Sequence, residues 1–97
     1  KYADVPVRPG HEFVFTQRGR PTGARAGAIR DLLSAIPELP EDVLQGHLRR
    51  GDFHRWIEDV FGDGDLGGAI RSLERNQISD IREALRQVIA DRYGQGS

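Results

Sequence analysis

The sequence predicts a mainly α fold, in which a short amino-terminal β-strand or hairpin precedes a compact bundle of four or five short helices. Three observations carry this prediction. From residue 29 onward, apolar residues recur at i, i+3, i+4 and i+7 in several separate segments, the period of a helix with one buried face. Prolines, glycines and small polar residues punctuate those segments and keep the helices short. Only Glu12-Phe13-Val14-Phe15-Thr16 is β-prone, and a lone strand pair is marginal in water, so it must lie against the helices.

Taken in order, residues 1–11 hold Pro6, Pro9 and Gly10 and are expected to be an extended lead-in to a single domain over 12–93. Gln17-Arg18-Gly19-Arg20-Pro21 is turn-like. A second strand after it should be very short, because Gly23, Ala24 and Ala26 are poor strand formers. Thr22 is expected to cap a first helix with Ile29, Leu32, Leu33 and Ile36 on its buried face. Pro37 and Pro40 end that helix. Pro40, Glu41 and Asp42 then suit the first turn of a second, where proline is tolerated and acids favour the dipole. This helix carries Val43, Leu44 and Leu48 until Gly51 stops it.

Asp52 is expected to cap a third helix, whose Phe53, Trp56, Ile57, Val60 and Phe61 form a nine-residue stripe predicted to be the centre of the core. Gly62-Asp63-Gly64-Asp65 makes the next corner, with Asp63 at a helix start. Leu66, Ala69, Ile70 and Leu73 mark a fourth helix, weakened by Gly67 and Gly68 at up to ~1 kcal/mol each relative to alanine. Ile78, Ile81, Leu85, Val88, Ile89 and Tyr93 mark the last. These two helices could form one seam, but Asn76 and Ser79 are capping residues, so a break near Asn76 is expected. Residues 94–97 are expected to be a flexible tail, and a start at Lys1 rather than Met is expected of a processed chain or an excised fragment.

Composition narrows the function classes. The 97 residues suit one domain with an adequate core. With no cysteine, thiol catalysis, disulfides and thiolate metal sites are excluded, which fits a reducing compartment and an expected cytoplasmic location. No run approaches the ~18 apolar residues of a membrane helix. The net charge of −1 gives no global drive toward nucleic acid. The distribution is uneven, however. Residues 1–30 hold six basic and two acidic side chains, and residues 31–70 three basic and nine acidic. A positive amino-terminal part therefore faces an acidic middle, and either suits docking.

No catalytic motif is present. Gly19-Arg20-Pro21-Thr22-Gly23 lacks the spacing and the lysine of a phosphate loop, and no serine sits in a nucleophile elbow. Asp63-Gly64-Asp65 begins like a calcium loop, with Gly68 sixth and Glu74 twelfth. The intervening Leu66, Ala69, Ile70 and Leu73 read as helix, so capping is the better account. His47, Asp52 and His54 contain the residue types of a metal or acid–base cluster. They fall on different helices without a paired-ligand spacing, and His47 lies on an apolar face between Leu44 and Leu48. It is expected to be a half-buried histidine bonded to backbone or to an acid. Arg49, Arg50 and Arg55 flank Trp56 as a phosphate or single-strand site would, although Glu58 and Asp59 offset their charge. Arg18, Arg20, Arg25 and Arg30 form the better anion-facing patch. The candidate interaction residues are therefore His47, Arg49, Arg50, His54, Arg55, Arg18 and Arg20; no catalytic, cofactor or metal residue is assigned.

The run His47-Leu48-Arg49-Arg50-Gly51-Asp52-Phe53-x-x-Trp56-x-x-Asp59-Val60-x-x-Asp63-x-x-Leu66 resembles the carboxy-terminal helical accessory module of certain bacterial multidomain proteins. Those proteins carry a haloacid-dehalogenase-like phosphatase domain, in some cases with an ATPase-like segment. Lys1-Tyr2-Ala3, Phe13-Val14-Phe15 with Gly19, and Ile89-Ala90-Asp91-Arg92-Tyr93 are similar to the module's entry, strand and closing helix. Gly67-Gly68 departs from it, standing where the family has helix formers. The resemblance implies a module without established activity, and no Asp-x-Asp pair ends a hydrophobic strand as the phosphatase nucleophile does, because Asp63-Gly64-Asp65 is expected between helices.

The expected function is accordingly non-catalytic: a regulatory or protein-interaction module of a larger hydrolase- or ATPase-type protein. Its partners would be other domains of the parent chain or a separate protein, with no cofactor and no membrane. The alternative is a phosphate-ligand or nucleic-acid-binding domain that uses the arginine clusters.

Overall fold

The hairpin turns at Arg18 and Gly19, both in the left-handed region at φ 54 and 80, as a two-residue turn joining right-twisted strands requires. In this computed structural model, which describes residues 2–76 and 78–93, the turn joins β1 (Phe13–Gln17) to an antiparallel β2 (Arg20–Ala26). For glycine the left-handed conformation is free, whereas for arginine it costs about 1–2 kcal/mol. The second strand is longer than expected from its weak strand formers. The register shows how it is accommodated. Val14 pairs with Arg25 and Thr16 with Pro21, so Thr22, Gly23 and Ala24 together stand opposite Phe15. Gly23 takes a φ of 92 within this irregularity. The Thr22 hydroxyl donates to the Phe15 carbonyl at 3.0 Å and accepts from the Ala24 N–H at 3.2 Å. Thr22 thus secures a bulge in a strand rather than capping a helix.

The first helix begins later, as α1 (Ile29–Ala35), and a 3-10 turn over Ile36–Glu38 carries Pro37. The lead-in is tied down: Val7 N–H donates to Gly27 O and Arg30 N–H to Ala3 O, at 2.8 and 2.7 Å. Helix α2 (Glu41–Arg50) follows Pro40. It ends at Gly51, whose φ of 74 lets one residue close α2 and open α3 (Asp52–Phe61). A side chain there would also meet His54, since a Cβ on Gly51 would lie 2.6 Å from the imidazole Cε1.

Helix α4 (Gly64–Arg75) starts at Asp63, whose carboxylate accepts from the Leu66 N–H at 3.2 Å. It runs through both glycines, and Gly67 has a packing role: a Cβ there would fall 2.3 Å from Glu58 Cγ. Helix α5 (Ile81–Tyr93) is separate from α4. Asn76 closes α4 by donating to Ser72 O, while the start of α5 is capped by Asp80, not Ser79, through Glu83 N–H at 3.1 Å. Lys1, Gln77 and the expected tail 94–97 lie outside the described residues.

These elements make a mainly α globule with an amino-terminal hairpin and five helices. The centre of its core differs from the expected stripe. Phe53, Trp56 and Ile57 are buried, but Val60 and Phe61 are half-buried and pack from the rim. The aromatic hub is Phe13 on β1, stacked on Phe53 at 5.1 Å and in contact with Phe15, His47 and Trp56 at 5.0, 4.9 and 5.6 Å. Phe61 meets Trp56 and Tyr93 at 5.1 and 5.9 Å, and with Val60 it borders a hollow against the lead-in at Val5 and Val7.

Candidate functional site

The densest polar constellation lies where β1 meets the α2–α3 corner. His47 is 1% exposed, against the half-burial expected for it. Its Nε2 accepts from the Thr16 backbone N–H at 3.1 Å, and its Nδ1 faces the Asp52 carboxylate at 2.8 Å. A ring nitrogen that accepts from an amide carries no proton, so the neutral ring bears its proton on Nδ1 and donates it to Asp52. Burial pushes the imidazole below its ordinary value, more than the Asp52 contact raises it. Asp52 is not the cap of α3; it is the first residue of the helix, with no side-chain cap bond from the Gly51 position. Its carboxylate accepts instead from His47, from Arg50 Nε at 3.1 Å and from Arg55 at 2.7 Å. Burial acts to raise this carboxyl, but the three donors outweigh it and hold it low.

The structure therefore brings His47, Arg50 and Arg55 together around Asp52, as a node rather than as an open face. His47 is out of reach of any partner, and Arg50 also donates to the Thr16 hydroxyl at 3.2 Å. Both nitrogens of His47 are occupied, one by the Thr16 amide and one by Asp52, and among the described residues neither is bonded to a hydroxyl nucleophile. His54 is apart from it, half-buried and bonded through Nδ1 to Glu74 of α4 at 2.9 Å. Among the described residues, no group of three or more His, Asp or Glu side chains could hold a metal ion. No helix among them is long and apolar enough to cross a membrane.

The remaining candidates are on the surface and in two places. Arg18 and Arg20 stand exposed at the hairpin tip, and neither guanidinium has a hydrogen bond or ion pair among the described residues. Arg49 is exposed on the far side of α2, at a cleft of about 440 Å³ against α4 and α5 whose walls include Leu48, Leu73, Glu74 and Ile81. A second hollow of about 340 Å³ lies between the hairpin and the 35–43 segment, floored by Phe15, Leu39 and Val43. Gln17 lines this groove and also borders the arginine tip.

Several polar anchors carried no sequence signal. Buried Asp63 does more than cap α4: it also accepts from Arg92 and from the Tyr93 hydroxyl at 3.0 Å, tying α5 to the α3–α4 corner. Burial opposes its charge, yet these donors hold its carboxyl well below the usual range, while burial and Asp63 push the Tyr93 phenol up to about 12. Arg82 donates to the carbonyls of Ile36 and Leu39 at 2.7 and 2.6 Å and to Glu41 at 3.0 Å. It satisfies the end of the 3-10 turn from α5, over 40 residues away. The Trp56 indole donates to His11 O at 2.7 Å and pins the lead-in. Such partners are set by tertiary placement, so only the caps among them were legible by local spacing.

Comparison of the chain with protein-family models, with curated proteins and with solved structures finds no match.

Proposed function

We propose that this chain is a non-catalytic accessory module, regulatory or protein-interacting, of a larger hydrolase- or ATPase-type protein. The observation that carries the reading is His47, which is buried and has both ring nitrogens bonded, one of them to the half-buried Asp52. His47 and Asp52 are spent on joining β1, α2 and α3. The exposed features are instead a groove, a cleft and unpaired arginines, which are the parts of a binding surface. Attachment to a phosphatase- or ATPase-like neighbour rests on the likeness of the His47–Leu66 run to such modules, and a bacterial cytoplasm is the setting that goes with it.

The test is direct. The purified chain is assayed for hydrolysis of phosphate monoesters, phosphodiesters and nucleoside triphosphates, and separately for binding to the neighbouring domains encoded in its gene. Binding without turnover is expected. Turnover that disappears in Asp52→Asn or His47→Gln, while both variants remain folded, would overturn the reading.

A second reading is favoured by the unpaired guanidinium groups of Arg18 and Arg20. In it the chain binds a phosphate ligand or a nucleic acid through its arginines. Salt-dependent retention on heparin, lost in Arg18→Ala and Arg20→Ala variants, would support this reading over docking on a protein.

A further inference from the structure

The hairpin tip and the groove beside it form one continuous surface. Arg18 occupies the left-handed region, at a turn position where asparagine, aspartate or glycine is favoured. It has no partner there among the described residues, and neither does Arg20. Strain without an internal partner directs attention outward. Next to this tip, the groove of about 340 Å³ has an apolar floor of Phe15, Leu39 and Val43, with Ala24 and Glu38 on its rims. Gln17 lines both the groove and the tip, and Phe15 and Gln17 are two residues apart on β1. On one face of a strand that separation is about 7 Å, which is also the repeat of an extended peptide.

We propose that the groove and the hairpin tip together bind an extended acidic segment of a partner protein. An apolar side chain of the segment sits over Phe15, Leu39 and Val43, and a carboxylate two residues away is held by Arg18 and Arg20. The inference rests on reading the chain as a docking module, and it names the surface and the partner's chemistry. Charge fixes which end of the surface the acid occupies. Glu38 lines the groove but not the tip, and it has no ion pair among the described residues. An acid is therefore favoured at the arginine end alone, and a neutral or basic residue at the other. A polyanion fits less well, because it would bring phosphates to an apolar floor and to Glu38.

A library of random linear peptides displayed on phage, selected against the immobilised 97-residue protein, tests this. Enrichment of peptides with an acid and an apolar residue two positions apart, in either order, is expected. One enriched peptide, synthesised and titrated by calorimetry, should bind about tenfold or more weakly to the Arg18→Ala/Arg20→Ala double variant. The same loss is expected of Ala24→Trp, which fills the groove from an exposed rim position. Both variants should melt as the parent protein does, since neither site contributes to the core. Enriched peptides without a carboxylate, no enrichment, unchanged affinity in both variants, or displacement of the peptide by a single-stranded oligonucleotide with equal potency would each overturn the proposal. The module reading fails separately. A neighbouring domain that binds both variants normally would sink the groove and leave the module, whereas hydrolysis by the isolated chain would sink the module.

Discussion

At the scale of single residues, the buried polar groups contribute pH-dependent stability with a definite sign. The His47 imidazole is held below its ordinary value of 6.5. As pH falls below that value the unfolded chain takes up a proton that the folded chain refuses, so stability declines on acidification. Asp52 and Asp63 are held below their ordinary 3.8, so their contribution is present above that pH and lost below it. Urea unfolding followed by tryptophan fluorescence should therefore show a first loss beginning near pH 6.5 and a second, steeper one below about pH 4. His47→Gln should remove the first step from a lower starting stability; a first step unchanged in that variant would assign it elsewhere. Asp63→Ala removes a helix cap and leaves Arg92 and Tyr93 without their shared acceptor. A loss of about 3 kcal/mol is expected, read from the urea midpoint. A loss below about 1 kcal/mol would mean that Asp63 acts as a cap alone.

At the scale of elements, the adjacent glycines Gly67 and Gly68 of α4 make opposite predictions from identical local chemistry. A Cβ at Gly68 meets nothing within 4 Å, whereas one at Gly67 meets Glu58 Cγ at 2.3 Å. Gly68→Ala should stabilise by about 0.5–1 kcal/mol through helix propensity alone. Gly67→Ala must displace Glu58, which accepts from Arg71 at 2.6 and 2.7 Å, and should lower the melting temperature. Equal gains from both would show that α3 and α4 are not packed as closely as described.

The same contrast explains what sequence could convey about the elements. Period and punctuation were enough for β1, the Gly51 break and the separation of α4 from α5, because each depends on neighbours in the chain. The length of β2 was missed because Thr22 satisfies the bulge with its own hydroxyl, which propensity does not register. Asp52 looked like a cap from its place after Gly51. Its true partners, His47, Arg50 and Arg55, gather only once the corner has formed. Val60 and Phe61 fit the stripe and fell at its rim, since a helical pattern fixes a face but not how far the opposing layer extends.

At the scale of the molecule, the radius of gyration is 12.3 Å, against roughly 12.5 Å expected for a single domain of this length. One core therefore spans the hairpin and the helices, and its joints are polar: His47 to the hairpin, Asp63 to the closing helix, Arg82 to the 3-10 turn. The run from His47 to Asp63 supplies two of these joints, while the surface proposed for a partner lies at the hairpin tip and its groove. The site was thus only partly legible, because exposed arginines are visible in a sequence but the surface that makes them useful is not. His47 is a structural joint with both ring nitrogens engaged. Nitrogen-15 NMR of the imidazole reads this out. A neutral ring protonated at Nδ1 is expected, with Nε2 accepting from Thr16 and a pKa below 6.5. A ring protonated at Nε2, or one titrating above 6.5, would contradict it.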